Sequence, residues 1–239
     1  MSSQAEVTDG RAEIVRGARD SIPLGVALAA VGVAFGYAAH EAGLSWWLAG
    51  LMSLTTYGGP SQFLAVSLIG IGAAVPAIVA TVFVANLRYS LFAASLAPHL
   101  REAPRKRLFG LAYGLADGSY ALTLQRQSDN PDGPRLDRYL LGSIFVSFGV
   151  WVPSAIAGNL IGEAVPGALA YGLRFATPAI FTAFLVAAAR DRIGVGVVLI
   201  AGVGSVLGHD HLPTGTGPVV AIVVASVLGG ALTWRRRPS

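Results

Sequence analysis

Three ionisable side chains, Arg88, Asp117 and Arg174, stand inside long apolar stretches of this 239-residue chain. One further apolar stretch is broken in its middle by "TTYGGPSQF" at residues 55–63. Charge in hydrocarbon is expensive, so an ionisable residue there is a functional candidate by default. Arg88 follows Asn86 in "VANLRYSLF" and is too deep in its segment to extend easily to either end. Its guanidinium suits a carboxylate, which it can grip with two parallel hydrogen bonds; the structural alternative is an ion pair with Asp117. Asp117, in "GLADGSY", suits an ammonium group or a transported proton. Its alternatives are that same pair or a helix cap beside Gly118. Arg174 stands near the start of its segment, and we read it as extending to the outer interface.

The break can do chemistry of another kind. Interrupted backbone in lipid leaves N–H and C=O groups unpaired, which is tolerated only inside protein or along a cavity. Transporters use such discontinuous helices to build a site near the midplane. Gly58 and Gly59 let the chain turn and a ligand approach the backbone. Pro60 suits the first helical position, where its missing N–H is no loss. Ser61, Gln62 and Phe63 are then expected to present N–H groups toward the break, with Thr56 flanking it, and such groups attract a carboxylate. The alternative is a Pro/Gly kink whose polar side chains satisfy local backbone.

These residues need elements to position them, and the composition says which. The chain is 54% hydrophobic and 13% charged, against about 25% charged in a soluble domain. Apolar segments cover residues 22–39, 44–70, 73–97, 108–124, 139–161, 168–189, 193–208 and 212–234. Each approaches or exceeds the roughly 20 residues of a membrane span. The expected fold is an all-α integral membrane protein with one transmembrane domain over 21–234, a cytoplasmic tail over 1–20 and another over 235–239. The N-terminal tail is polar and lacks the apolar core of a secretory signal.

The distribution of Lys and Arg sets the topology. The links 98–107, 125–138 and 190–192 and both tails are basic, whereas 40–43, 71–72, 162–167 and 209–211 carry neither Lys nor Arg. Eight full spans would put the most basic internal link outside. If 44–70 enters and leaves from the outer face and 108–124 from the inner face, every basic link becomes cytoplasmic. About six spanning helices plus two broken or re-entrant segments are therefore expected, the second broken at Gly114–Gly118 around Asp117. One long tilted helix over 44–70, or eight full spans with one wrong-sided link, are the competing arrangements. Small-xxx-small spacings at Gly32–Gly36, Gly110–Gly114–Gly118, Gly158–Gly162 and Gly204–Gly208 are expected at close helix contacts.

Other chemistry is scarce. There is no cysteine, so thiolate metal sites and disulfides are excluded. "HDH" at 209–211 offers two histidines without a third ligand nearby, and no metal or cofactor is expected. P-loop, H-E-x-x-H and G-x-S-x-G patterns are missing, so no enzyme is expected. The positive charge lies in the links, which calls for no nucleic acid.

With these residues in view, the chain resembles the AzlC family of branched-chain amino-acid permeases. The resemblance runs from about Gly25 to at least Val186. It is densest in "GLSWWLAGLMSLTTYGGPSQF", in "GA" at 72–73 and in "ANLRYSLFAASLAPHL". Tyr57–Phe63 fall on the family's break motif, and Asn86, Leu87 and Arg88 match its Asn-Leu-Arg run, with Tyr89 where His is common. "LADGSYAL" keeps Asp117 but has Gly118 for an expected Glu, and "LRFATPAIF" has Arg174 for an expected Asp. The resemblance implies export of branched-chain amino acids such as valine across the bacterial inner membrane, with a small AzlD-like membrane subunit. The expected function is thus a secondary transporter driven by a proton or other ion. Its candidate binding residues are Thr56, Gly58, Gly59, Pro60, Ser61, Gln62, Phe63, Asn86 and Arg88, with Asp117 holding the ammonium or the coupling proton. A channel-like facilitator for another small solute is the alternative, and a membrane scaffold serving a partner is the third reading.

Overall fold

The structure is a computed structural model. It describes residues 2–130, 135–164, 166–189 and 192–211 and the isolated positions 220, 224, 225, 227 and 228. The expected segment 212–234 and the tail after it lie essentially outside the described residues. Ten α-helices are described: α1 (Ser2–Asp20), α2 (Ile22–Glu41), α3 (Trp46–Thr55), α4 (Gly59–Gly70), α5 (Val75–Leu96), α6 (Arg105–Gly114), α7 (Asp117–Asp129), α8 (Leu136–Leu160), α9 (Gly167–Ala188) and α10 (Arg192–His211). Among the described residues there is no strand. Among the described residues, three stretches, Ile22–Glu41, Val75–His99 and Leu136–Leu160, are long and apolar enough to cross a bilayer. The protein is an all-α membrane protein.

α2 and α8 form its spine. The glycine spacing explains how closely they approach: a methyl group on Gly36 would strike the Ala155 carbonyl, and one on Gly158 the Val33 carbonyl. Gly32 faces Ser154 and Gly162 faces His40 in the same seam. Two of the expected small-residue pairs thus line one helix crossing, as small residues do where backbones pack without intervening side chains. Residues 2–20, the expected N-terminal tail, form α1, which packs along the start of α8. Gly17 lies on the Tyr139 carbonyl and Gly142 on that of Ile14. This second seam escaped the sequence reading because its two glycines are on different helices with no paired spacing.

Both broken segments are hairpins, and α8 measures them. Gly70, at the end of α4, returns to Ala42, which precedes α3: a methyl on Gly70 would sit 3.7 Å from Ala42 Cβ. Gln62 Nε2 donates to Ser53 Oγ at 3.2 Å. In a continuous helix those residues would be about 13 Å apart along the axis, so the chain must reverse between them. Asn159 Nδ2, at the far end of α8, donates to the Leu44 carbonyl and fixes the base of this hairpin there. The second hairpin stands on the opposite end. Arg107 in α6 pairs with Asp137 at the start of α8, and Arg126 in α7 pairs with Glu13 of α1. Farther along α8, Gly114 at the end of α6 abuts Ile144.

Candidate functional site

The two hairpin tips meet halfway along α8. Tyr57 packs on Phe148 with ring centroids 4.2 Å apart, Tyr113 lies 6.1 Å from the same ring, and the Tyr113 hydroxyl donates to the Leu54 carbonyl. Between the tips is a cavity of about 230 Å³ whose wall includes Ser147 and Trp151 of α8. These residues lie about 12–21 Å from Asp137 and Asn159 at 1.5 Å per residue, which puts the cavity near mid-height. Its volume is below the roughly 300–1,000 Å³ of pockets for drug-sized molecules, so it suits a small solute.

Each broken helix offers a free first turn to this space. α4 begins at Gly59, one residue earlier than expected, so Pro60 takes the second position. The Gln62 amide bonds back to the Gly58 carbonyl at 2.8 Å. The Phe63 amide falls within the regular helical ladder. The expectation that Gln62 and Phe63 present free amides is therefore corrected; the α4 donors without a helical carbonyl are Gly59 and Ser61. Ser61 Oγ donates to the Gly58 carbonyl and closes the turn. At the second tip, Leu115 and Ala116 are extended and Asp117 opens α7, within the break expected at Gly114–Gly118. Ser119 Oγ holds both the amide and the carbonyl of Ala116 at 3.0 Å. Gly59 and Pro60 from one tip and residues 116–119 from the other line the cavity together.

The charges lie on one side. Arg88 Nη2 is 3.1 Å from Asp117 Oδ2, and Tyr89 completes a triangle, accepting from Arg88 at 3.0 Å and donating to Asp117 at 3.4 Å. The ion-pair reading of Arg88 and Asp117 is therefore realised, while Asp117 also lines the cavity. Arg88 Nε and Asn86 Oδ1 are buried without a hydrogen-bond partner among the described residues. Gly58 is in van der Waals reach of this group: a methyl there would come within 3.2 Å of Asn86 Oδ1 and 3.0 Å of the Tyr89 hydroxyl. Each helix start contributes roughly half a positive charge, and Arg88 balances Asp117. The site therefore favours an anionic group.

The expected residues divide by role. Gly59, Pro60, Phe63 and Asp117 line the cavity. Thr56 caps the end of α3, and its amide bonds to the Met52 carbonyl. Gln62 is fully buried and is a strut: Trp151 Nε1 donates to its Oε1 at 3.1 Å while its Nε2 holds Ser53. Phe63 packs edge-on to Phe35 at 5.5 Å, and Phe35 stacks on Trp151. Arg174 is away from the cavity and pairs with Glu41 at 2.8 Å, at the end of α2 where the first hairpin begins. That pair gives the exposed Arg174 guanidinium a partner. Among the described residues no group of three or more acidic or histidine side chains could hold a metal; the side chains of 209–211 are outside the described set.

The sequence reading missed Tyr57, Ser147 and the apolar wall of Leu24, Leu28 and Val31. Tyr57 had a signal. It sits inside the break, and its φ of 35° is the left-handed backbone region, which costs a non-glycine residue about 1–2 kcal/mol. Strain of this kind collects at functional sites. The wall residues had none, because they are ordinary apolar positions on long apolar helices.

A family model for the AzlC protein matches residues 23–165, which is more than half of the chain. The chain belongs to the AzlC family. The match encloses both hairpins and every residue of the cavity wall. Among curated proteins, the Escherichia coli inner membrane protein YgaZ is 27% identical over 228 residues, covering 94% of this chain and 90% of that protein. An uncharacterized membrane protein of Helicobacter pylori is 27% identical over 143 residues, 60% of each chain. No solved structure matches.

Proposed function

We propose that this chain is a secondary transporter that exports branched-chain or other apolar amino acids across the bacterial inner membrane. The observation that carries the reading is the convergence of two half-helix starts on one small cavity with the Arg88–Asp117 pair at its side. A zwitterion has three features to satisfy. Its carboxylate fits the Gly59 amide in the cavity wall, or Arg88. Its ammonium fits the Asp117 carboxylate. Its apolar side chain fits the wall formed by Leu24, Leu28, Val31 and Trp151. Alternating access follows if one hairpin withdraws at a time, because each closes the cavity from a different end of the bundle. A proton or other ion supplies the gradient, and Asp117 is its binding group if it does not hold the ammonium. A small AzlD-like subunit accompanies the chain, both termini are cytoplasmic, and no enzymatic step is involved.

The test is counterflow of radiolabelled valine in proteoliposomes, with and without the small subunit. Accumulation of label against unlabelled valine inside, and gradient-driven concentration under an imposed pH difference, are expected. Downhill equilibration without gradient-driven accumulation favours the channel-like facilitator. Failure of valine to move in every arrangement overturns the substrate assignment.

A further inference from the structure

A second cavity, of about 390 Å³, opens between α5, α6 and the start of α8 and reaches the second hairpin tip only at Leu115. Its floor is apolar and buried: Leu96, Leu100, Leu111, Leu115 and Leu140 are each at most 8% exposed. Ala93, Ala97 and Ala112 stand where larger side chains would close it. The one charged residue on its wall is Arg101. Arg105, Leu108 and Ala112 follow at spacings of three and four, which places them on one face of α6, and Leu115 follows directly at its end. The groove thus runs from cations at one end to the break at Leu115, about 15 Å along α6 at 1.5 Å per residue.

We propose that this groove binds one anionic phospholipid, with an acyl chain on the leucine floor and the phosphate between Arg101 and Arg105. Charge complementarity selects this occupant. Arg101, Arg105 and Lys106 are exposed and make no ion pair among the described residues, whereas their neighbour Arg107 is committed to Asp137. Glu102 is the only acid in residues 97–107. The end at which they lie also carries Glu13, Arg126 and Asp137, the base of the second hairpin, and basic pockets between helices at the cytoplasmic side take anionic headgroups. A neutral lipid would cover the leucines but leave these cations without a counter-charge. Because the floor ends at Leu115, the acyl chain bears on the hinge of the second hairpin.

Native mass spectrometry of the full-length protein in detergent, titrated with phosphatidylglycerol or phosphatidylcholine of the same acyl chains, tests this. The protein is expected to retain one phosphatidylglycerol in preference to phosphatidylcholine. Neutralising Arg101 and Arg105 to Ala together should weaken phosphatidylglycerol binding about five-fold per cation and leave phosphatidylcholine unchanged. Ala112→Phe should block both lipids while the melting temperature holds. If that variant unfolds, Ala93→Phe fills the groove from the opposite wall. Glycerol 3-phosphate, a headgroup without chains, should not compete. Equal retention of the two lipids, a preference that survives loss of both arginines, or undiminished binding in a groove-filled, folded variant overturns the proposal.

Discussion

Arg88 of α5 reaches Asp117 in the first turn of α7 at 3.1 Å, so one ion pair ties a long apolar helix to the tip of the second hairpin. The pair is partly open, with side chains 28% and 37% exposed. It also shares its carboxylate with the Tyr89 hydroxyl. An arrangement that only stabilised the fold would not need Asp117 in the cavity wall, and one that only bound substrate would not need Arg88 to hold it.

Exchange of the two charges separates these roles. Asp117→Asn and Arg88→Gln should each lower valine counterflow about ten-fold or more, the scale of one charge-assisted hydrogen bond at about 1.5–3 kcal/mol. The double exchange, Arg88→Asp with Asp117→Arg, should restore the melting temperature without restoring counterflow. Recovery of both would reduce the pair to a structural tie.

Gln62 should behave as a strut. Gln62→Leu leaves both Trp151 Nε1 and Ser53 Oγ buried without their partner, at about 1–3 kcal/mol for each unsatisfied group. Thermal unfolding followed by tryptophan fluorescence should show a clear drop. A double-mutant cycle with Trp151→Phe should give a coupling of about 0.5–3 kcal/mol. Additive effects would mean that the amide does not bridge the hairpin to α8.

The spine offers a graded pair of glycine substitutions. Gly36→Ala forces the α2 and α8 backbones apart, since the new methyl meets the Ala155 carbonyl. Overpacking of this kind costs about 1–3 kcal/mol, occasionally more. Gly149→Ala, also on α8, meets nothing within 4 Å and should stabilise the helix by up to about 1 kcal/mol. Melting temperatures that move in opposite directions would confirm that contact, not glycine content, sets the response.

Much of this architecture was legible because its signals are local. Gly58, Gly59 and Pro60 mark one break by composition, and the basic link at 98–107 favoured an arrangement in which both broken segments turn back. Asp117 marked the second break within two residues of the observed Leu115–Ala116. What the sequence hid is three-dimensional. The α4 start shifted by one residue because Gly58, extended at φ −143°, serves as the cap, and that shift ties up the Gln62 amide. α1 reads as polar, yet it packs because Gly17 and Gly142 admit a close crossing that no single-helix spacing reveals. The convergence of two helix starts belongs to neither hairpin's sequence alone.

The opposed hairpins predict a labelling pattern that the absence of cysteine makes clean to read. Glu41 and Ile71 flank the first hairpin and are exposed at the end where Gly70 returns to Ala42; Arg101 and Ser128 are exposed near the base of the second. In intact cells, Glu41→Cys and Ile71→Cys should react with a membrane-impermeant maleimide, whereas Arg101→Cys and Ser128→Cys should react only in inverted vesicles. The distinction is sharp because a single tilted helix over 44–70 places residues 41 and 71 on opposite faces, and a spanning 108–124 segment does the same to 101 and 128. Labelling of 41 and 71 from different sides would therefore overturn the first hairpin as a membrane element even with the cavity intact.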